Sequence, residues 1–83
     1  MLFRSTVATP ALRTGAPVRL MRASVALWRV VDRGGRVIGH LQAIPDARGT
    51  RVRARRFHPA SRAFVDVGDF WSADDAVDAL RSR

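Results

Sequence analysis

The sequence predicts a small α+β domain, in which an antiparallel three- or four-stranded β-meander carries one C-terminal helix packed on one face. Three observations predict it. Short runs of alternating apolar and polar residues begin near residue 26, a Gly-Gly dipeptide separates the first two runs, and apolar residues recur at helical spacing after residue 72. With 83 residues, the chain has room for one such domain.

A flexible basic tail is predicted over residues 1–22, ahead of a domain over residues 26–83. The tail shows no strand or helix periodicity, is interrupted by Pro10, Gly15 and Pro17, and contains Arg but no acid. An acid-free start with Arg and Ser is also typical of a mitochondrial transit peptide, and Met21 is an alternative start of the chain. We expect the tail to be dispensable for folding because it has no periodic apolar face.

The predicted strands span residues 26–33, 36–44, 51–58 and 63–68. Gly34-Gly35 is typical of a two-residue hairpin loop between the first two strands. Residues 45–50 have the composition of a loop, and Pro59 begins a second turn at residues 59–62. These connections predict strands that are neighbours in the sheet in chain order.

A helix is predicted to begin after Ser72. Ser72 is a good N-cap residue, and Asp75 three positions later completes an approximate capping box. The apolar stripe of this helix consists of Ala73, Ala76, Val77 and Leu80. We expect Trp28 and Trp71 to lie in the core.

Counting outward from the predicted loops gives the register of the sheet. Trp28 falls opposite Leu41, Gln42 opposite Arg53, and Phe57 opposite Phe64. The face expected under the helix then holds Trp28, Val30, Val37, Leu41, Ala43, Val52, Ala54, Val65 and Val67. The opposite face holds Arg29, His40, Gln42, Arg53, Arg55 and Asp66, with Val31, Ile38, Phe57 and Phe64 among them.

The composition excludes several chemistries. All 15 basic residues are Arg, all seven acidic residues are Asp, and the chain lacks Cys, Lys and Glu. There is therefore no thiol nucleophile, disulfide, thiolate metal site or Schiff-base lysine. The two His and scattered Asp show no metal-ligand spacing, so we predict neither metal nor cofactor. No apolar run approaches the roughly 20 residues that span a bilayer, so no membrane partner is predicted.

A formal charge of +8 points to a polyanionic partner, most simply nucleic acid. We predict a non-enzymatic nucleic-acid-binding module, with DNA favoured over RNA, that uses an Arg-rich sheet face. Arg forks bind phosphate or guanine, and aromatic rings stack on bases. The predicted site residues are Arg29, His40, Gln42, Arg51, Arg53, Arg55, Phe57 and Phe64. The simpler interpretation is a solvated face in which Arg55 pairs with Asp66.

Other interpretations stay open. The protein is alternatively an interaction or regulatory domain that docks a partner through Phe57 and Phe64 or through a sheet edge. A third possibility is a small ribonuclease that uses His40 or His58 as a general acid or base. The tail could also fold over the Phe57 and Phe64 face. Arg in place of Lys and abundant Ala are typical of GC-rich genomes, so a bacterial cytoplasm is the predicted compartment.

The segment from Trp28 to Leu80 (WRVVDRGGRVIGHLQAIP…RVRARRFHPASRAFVDVGDFWSADDAVDAL) resembles short Arg-rich proteins of GC-rich, actinobacterial-type genomes. Some of those are labelled as DNA mismatch-repair proteins, although no ATPase or nuclease motif is present here. The ending with Gly68, Phe70, Ser72, Ala76 and Leu80 is similar to the strand-to-helix closure of arm-type integrase DNA-binding modules. This similarity implies a sheet that lies in the DNA major groove with a helix behind it. A fourth strand and the missing Lys depart from that family, so no functional residue is carried over.

Overall fold

The computed structural model describes residues 7–82. Within this range the chain forms five strands followed by one helix: β1 Val18–Ser24, β2 Leu27–Asp32, β3 Val37–Asp46, β4 Gly49–His58, β5 Ala63–Phe70 and α1 Ala73–Arg81. The strands pair antiparallel in chain order in one open sheet, and α1 contacts β3, β4 and β5. The predicted α+β meander is confirmed, with one strand more than the three or four expected.

The additional strand, β1, begins within the segment predicted to be a tail and extends two residues beyond it. It pairs along β2, from Val18 opposite Asp32 to Arg22 opposite Trp28. The prediction of a tail up to residue 22 is therefore wrong for residues 18–22. Val18 and Leu20 flank an arginine as in a strand, but Met21 ends the alternation. A run this short is too weak a signal without its pairing partner.

The residues before β1 also contribute to the fold. Leu12 packs against the core, and Thr9 Oγ1 accepts a hydrogen bond from Trp28 Nε1 at 3.1 Å. The main-chain N–H of Arg13 donates to Asp74 Oδ1 at 3.1 Å, and its guanidinium lies 3.4 Å from the same oxygen. This segment thus ties α1 to the start of the sheet. Residues 1–6 of the predicted tail lie outside the described residues.

The β2–β3 turn is a three-residue loop, not the predicted two-residue loop. The Gly35 N–H donates to the Asp32 carbonyl at 3.0 Å, and the Asp32 N–H donates to the Arg36 carbonyl at 2.8 Å. Gly35 has a φ of 85°, as the last residue of such a loop requires. Asp32 Oδ1 accepts two further backbone N–H groups, from Gly34 and Arg36. This carboxylate stabilises the longer loop, which the Gly-Gly pattern alone does not reveal.

A bulge between Val30 and Val31 compensates for the longer loop. Beyond it the predicted register is confirmed, with Trp28 opposite Leu41. Next to the turn the prediction is wrong: Val37 pairs with Val31 and is 50% exposed, whereas Ile38 packs against the core.

The β3–β4 register is confirmed, with Gln42 opposite Arg53. The loop predicted over residues 45–50 is shorter, because pairing continues to Asp46 opposite Gly49. Residues 47 and 48 alone therefore connect the two strands.

The β4–β5 register is confirmed at its outer end, where Phe57 lies opposite Phe64. A bulge next to Ala54 then places Gly68 opposite that residue, where Val67 was expected. Val65 and Val67, predicted to lie under the helix, are exposed.

The core lies between the sheet and α1. Gly39 makes this close packing possible, because a Cβ there would lie 2.7 Å from Leu80 Cδ2 and 2.9 Å from the Arg55 carbonyl oxygen. Trp28 is fully buried, as predicted. The main cluster consists of Val18, Val30, Leu41, Val52, Ala54, Ala73, Ala76, Val77 and Leu80.

Both ends of α1 are capped. Ser72 Oγ accepts a hydrogen bond from the Asp75 N–H at 3.1 Å, which confirms the predicted N-cap. At the other end, the Arg56 guanidinium donates to the Leu80 carbonyl at 2.6 Å and satisfies one of the carbonyls that a helix terminus leaves unpaired. Within residues 7–82, no helix has the length and apolar character needed to cross a membrane.

Candidate functional site

One face of the sheet, opposite α1, carries most of its polar side chains. We call it the open face. Successive side chains of a strand alternate between faces, and each strand contributes two to four residues here. The open face consists of Arg19 and Met21 (β1), Leu27 and Arg29 (β2), His40, Gln42 and Ile44 (β3), Arg51, Arg53, Arg55 and Phe57 (β4), and Phe64, Asp66 and Asp69 (β5).

All eight residues of the predicted site lie on the open face. Register explains this: Arg29 is opposite His40, His40 is opposite Arg55, and Gln42 is opposite Arg53. Four strands thus bring the predicted residues into one surface. That these residues bind a ligand stays a prediction.

Three β4 arginines, Arg51, Arg53 and Arg55, form a ladder of ion pairs with carboxylates. Arg53 binds Asp69 through two hydrogen bonds, from Nε to Oδ1 at 2.7 Å and from Nη2 to Oδ2 at 3.0 Å. Arg55 Nε donates to Asp66 Oδ1 at 2.9 Å, so this predicted pair is present. These bonds fix the direction of the guanidinium groups and compensate much of their charge.

The same contacts hold the carboxylates in their ionised form. The hydrogen bond from Arg53 lowers the pKa of Asp69, and the carboxylate in turn raises the pKa of Arg53. At Asp46, the backbone N–H of Arg48 is the main cause of a lowered pKa, followed by the Arg51 guanidinium 3.0 Å away. The ladder is therefore intact at neutral pH.

The β1–β2 half of the open face has a different charge balance. Arg19 and Arg29 are exposed, and no carboxylate of residues 7–82 lies within 4.0 Å of either guanidinium. Uncompensated guanidinium groups are the ones readiest to bind an added anion. The positive charge available on this face is thus concentrated beside the ladder, on β1 and β2.

Aromatic side chains cluster at the outer end of β4 and β5. Phe57 and Phe64 are exposed by 46% and 42%, and their ring centroids lie 5.5 Å apart in an edge-to-face arrangement. The Arg55 guanidinium lies 5.1 Å from the Phe64 ring centroid. Planar aromatic and guanidinium surfaces are therefore presented side by side.

His40 contacts the same cluster. Its ring lies edge-to-face with Phe64 at 5.0 Å, and its Nδ1 is buried without a hydrogen-bond partner among the described residues. Burial, followed by the nearby Arg29 and Arg55 charges, lowers the pKa of His40. The neutral imidazole is thus favoured at this position.

The two histidines are not brought together. His58 lies in β4, three positions beyond Arg55, so alternation directs its side chain away from the open face. Its Nδ1 lies 3.1 Å from Ser61 Oγ in the β4–β5 turn. Within residues 7–82 there is no cluster of three or more metal-ligating side chains.

Trp71 is the main residue that sequence reasoning misplaced. It was expected in the core, but it is 52% exposed. The guanidinium carbons of Arg51 and Arg48 lie 4.7 Å and 5.4 Å from its ring centroid. The spacing from Asp69 is the signal that could have found it, because residues two apart in an extended chain point the same way. Counting from Asp66 instead gives the wrong side, because the β5 bulge inserts one extra residue between Asp66 and Asp69.

A groove lies near the C-terminal end of α1. This groove has a volume of about 860 Å³, and apolar side chains and three arginines line it. The Arg56 guanidinium is already bonded to the helix carbonyls there. The lining residues are Pro17, Asp32, Arg33, Ile38, Arg56, Leu80 and Arg81.

Comparisons with protein-family models, with curated protein sequences and with solved structures found no match to this chain.

Proposed function

We propose that this protein is a non-enzymatic nucleic-acid-binding module whose binding surface is the open face. The observation that carries the proposal is the shared direction of five arginines. The helix acids lie on the other side of the sheet, where they do not repel a polyanion approaching the open face. The setting we propose is a bacterial cytoplasm. The five arginines are Arg19, Arg29, Arg51, Arg53 and Arg55.

The two halves of the open face support different contacts. Among residues 7–82, Arg19 and Arg29 have no carboxylate partner, which suits phosphate binding. Arg53 and Arg55 are held by Asp69 and Asp66, so their remaining N–H groups are fixed in direction. Fixed donors beside acceptor carboxylates suit contact with base edges, where direction matters more than charge.

Binding is tested by fluorescence anisotropy of labelled DNA and RNA across a salt series. Each phosphate that a cation neutralises adds to the slope of log K against log salt. We expect the double variant Arg19→Gln/Arg29→Gln to flatten that slope by up to about two units. The fold should persist, because both side chains are exposed.

The matched control is Arg36→Gln/Arg81→Gln, which removes two exposed charges away from the open face. We expect a clearly smaller change in slope for this pair. If both pairs weaken binding equally, attraction is due to net charge alone and the open face is not the site. If the parent protein binds no nucleic acid at about 50 mM salt, the proposed function fails.

The exposed edge of β5 favours a second candidate function, the docking of a partner strand. β5 is the last strand of the sheet, and Phe64, Val65 and Val67 on it are exposed. An unpaired edge with apolar side chains is a template for β-strand addition. Such binding relies on main-chain hydrogen bonds and apolar contact. It would therefore persist at a salt concentration that abolishes nucleic-acid binding.

A further inference from the structure

The width of the open face bears on which nucleic acid it fits. Five paired strands at about 4.8 Å spacing place the outer strands roughly 19 Å apart. The DNA major groove is about 12 Å wide and admits a helix or a two-stranded ribbon. The open face as a whole is therefore too broad to enter the groove of a duplex.

Trp71 provides a surface suited to an unpaired base. It directly follows Phe70, which packs against the core, yet its own ring is 52% exposed. Arg51 and Arg48 contact the ring and share one carboxylate, Asp46, at 3.0 Å and 3.8 Å. The surroundings of the ring are thus net positive, which favours a stacked base whose phosphate lies nearby.

A second aromatic surface lies at the opposite end of the same strands. Phe57 is six residues beyond Arg51 on β4, which corresponds to about 20 Å of strand. The Arg–Asp ladder fills the space between Trp71 and the Phe57–Phe64 pair. Aromatic ends separated by directed polar groups match the way that sheets bind a short single strand: bases stack and their edges are hydrogen-bonded.

We propose that the ligand of the open face is a single-stranded nucleic acid, and that one of its bases stacks on Trp71 beside Arg48 and Arg51. This inference rests on the proposed function and specifies its ligand. Stacking needs a base whose face is free, which a single strand offers and an intact duplex does not.

The experiment compares three labelled probes with the full chain at about 50 mM salt: oligo(dT) and oligo(U) of about 12 nucleotides, and a DNA duplex of similar length. We expect both single strands to bind more tightly than the duplex. Intrinsic tryptophan fluorescence supplies a second readout. We expect single strands to quench Trp71, since the other tryptophan, Trp28, is fully buried.

Trp71→Ala should weaken single-strand binding by roughly 5- to 150-fold, which is the loss of affinity expected when one aromatic ring that stacks on a base is removed. Trp71→Phe should restore part of that loss, because it keeps an aromatic face. Val25→Ala is the matched control, since Val25 is an exposed apolar residue in the β1–β2 turn, and it should bind like the parent. Circular dichroism verifies that each variant is folded.

The outcomes separate the two proposals. Binding to no probe contradicts the proposed function, and this inference falls with it. Equal or tighter binding to the duplex, or single-strand binding that Trp71→Ala leaves unchanged, overturns this inference while the proposed function stands. The two single-stranded probes together show whether DNA or RNA is preferred.

Discussion

The two faces of the sheet differ in what covers them and in how their polar groups are satisfied. The helix-side face is apolar and is covered by α1 and by the segment that precedes β1, through Leu12 and Thr9. The open face is covered by no other element of residues 7–82 and carries arginines, three of them paired with carboxylates. One face therefore supplies the stability of the fold, and the other is available for binding.

This difference shows how a small sheet can present arginines without destabilising itself. Arg51, Arg53 and Arg55 alternate along β4 with Val52 and Ala54, which are buried under α1. Each arginine therefore shares its strand with a core residue that fixes the backbone. Substitutions on the helix-side face should cost stability, and substitutions on the open face should change binding. The following predictions test that division.

The largest loss of stability should come from a chain that begins at Met21. It lacks Leu12, Val18 and Leu20, of which Val18 belongs to the buried core. Burying a side chain such as Val18 contributes about 1.5–3 kcal/mol, and the partly buried Leu12 and Leu20 and most of the β1 pairing are lost with it, so we expect a loss of several kcal/mol or of cooperative unfolding. Urea denaturation measures it. A midpoint equal to that of the full chain would restore the prediction that this segment is dispensable.

A matched pair of aromatic truncations compares the faces directly. Trp28→Ala removes a fully buried ring and should lower the free energy of unfolding by about 3–5 kcal/mol. Phe57→Ala removes a ring that is nearly half exposed and should cost about 1 kcal/mol or less. Thermal unfolding of both variants gives the comparison. Similar losses would show that the open face is part of the core.

Asp69→Asn should move stability and binding in opposite directions. It weakens a partly exposed pair with Arg53, so the loss of stability should be small. It also removes an anion from the open face, so the charge-dependent part of nucleic-acid affinity should rise a few-fold, although Arg53 is then held less firmly for base contacts. Asp75→Asn changes the same charge at the start of α1 and should leave affinity nearly unchanged. Anisotropy at fixed salt checks both, and weaker binding by Asp69→Asn would count against this site.

The smallest effect concerns His40 and pH. Its pKa is lowered in the folded protein, chiefly by burial, so the unfolded chain binds more protons once the pH falls below about 6.5. The burial of the neutral His40 ring therefore has its full stabilising effect above about pH 6.5. That stabilisation is lost as the pH falls towards the lowered pKa that His40 has in the folded protein. His40→Gln should therefore flatten the dependence of the free energy of unfolding on pH below about pH 6.5. Denaturation midpoints across this range decide the matter.

The sequence predicted the middle of the sheet better than its ends. The pairings Trp28–Leu41, Gln42–Arg53 and Phe57–Phe64 follow from counting outward from the predicted loops, and the single apolar face that results supports them. Two bulges changed the register: one beside the β2–β3 turn, whose longer loop Asp32 stabilises by hydrogen bonds, and one in β5 opposite Ala54, away from the β4–β5 turn. Alternation patterns contain no information on such bonds.

In the candidate site, too, the residues beyond a bulge could not be predicted from alternation. Alternation placed its eight residues on one face, but the carboxylate partner Asp69 and the exposed Trp71 lie beyond the β5 bulge and were missed. The strand β1 was missed for another reason. Its alternation is short, and its stability comes from pairing with β2 and from contacts of Val18 in the core, which only the tertiary structure reveals.

The central claim, that nucleic acid binds the open face, is tested most directly by NMR titration with unlabelled oligo(dT). Side-chain signals distinguish the surfaces: the arginine Nε–H groups of the open face and the indole N–H of Trp71, whose ring Arg51 contacts, report the proposed site, and the Trp28 indole and Leu41 methyls report the helix-side core. We expect the signals of Arg29, Arg51 and Trp71 to shift, while those of Trp28 and Leu41 stay in place. Shifts confined to α1 or to the groove around Arg33 and Arg81 would contradict the claim.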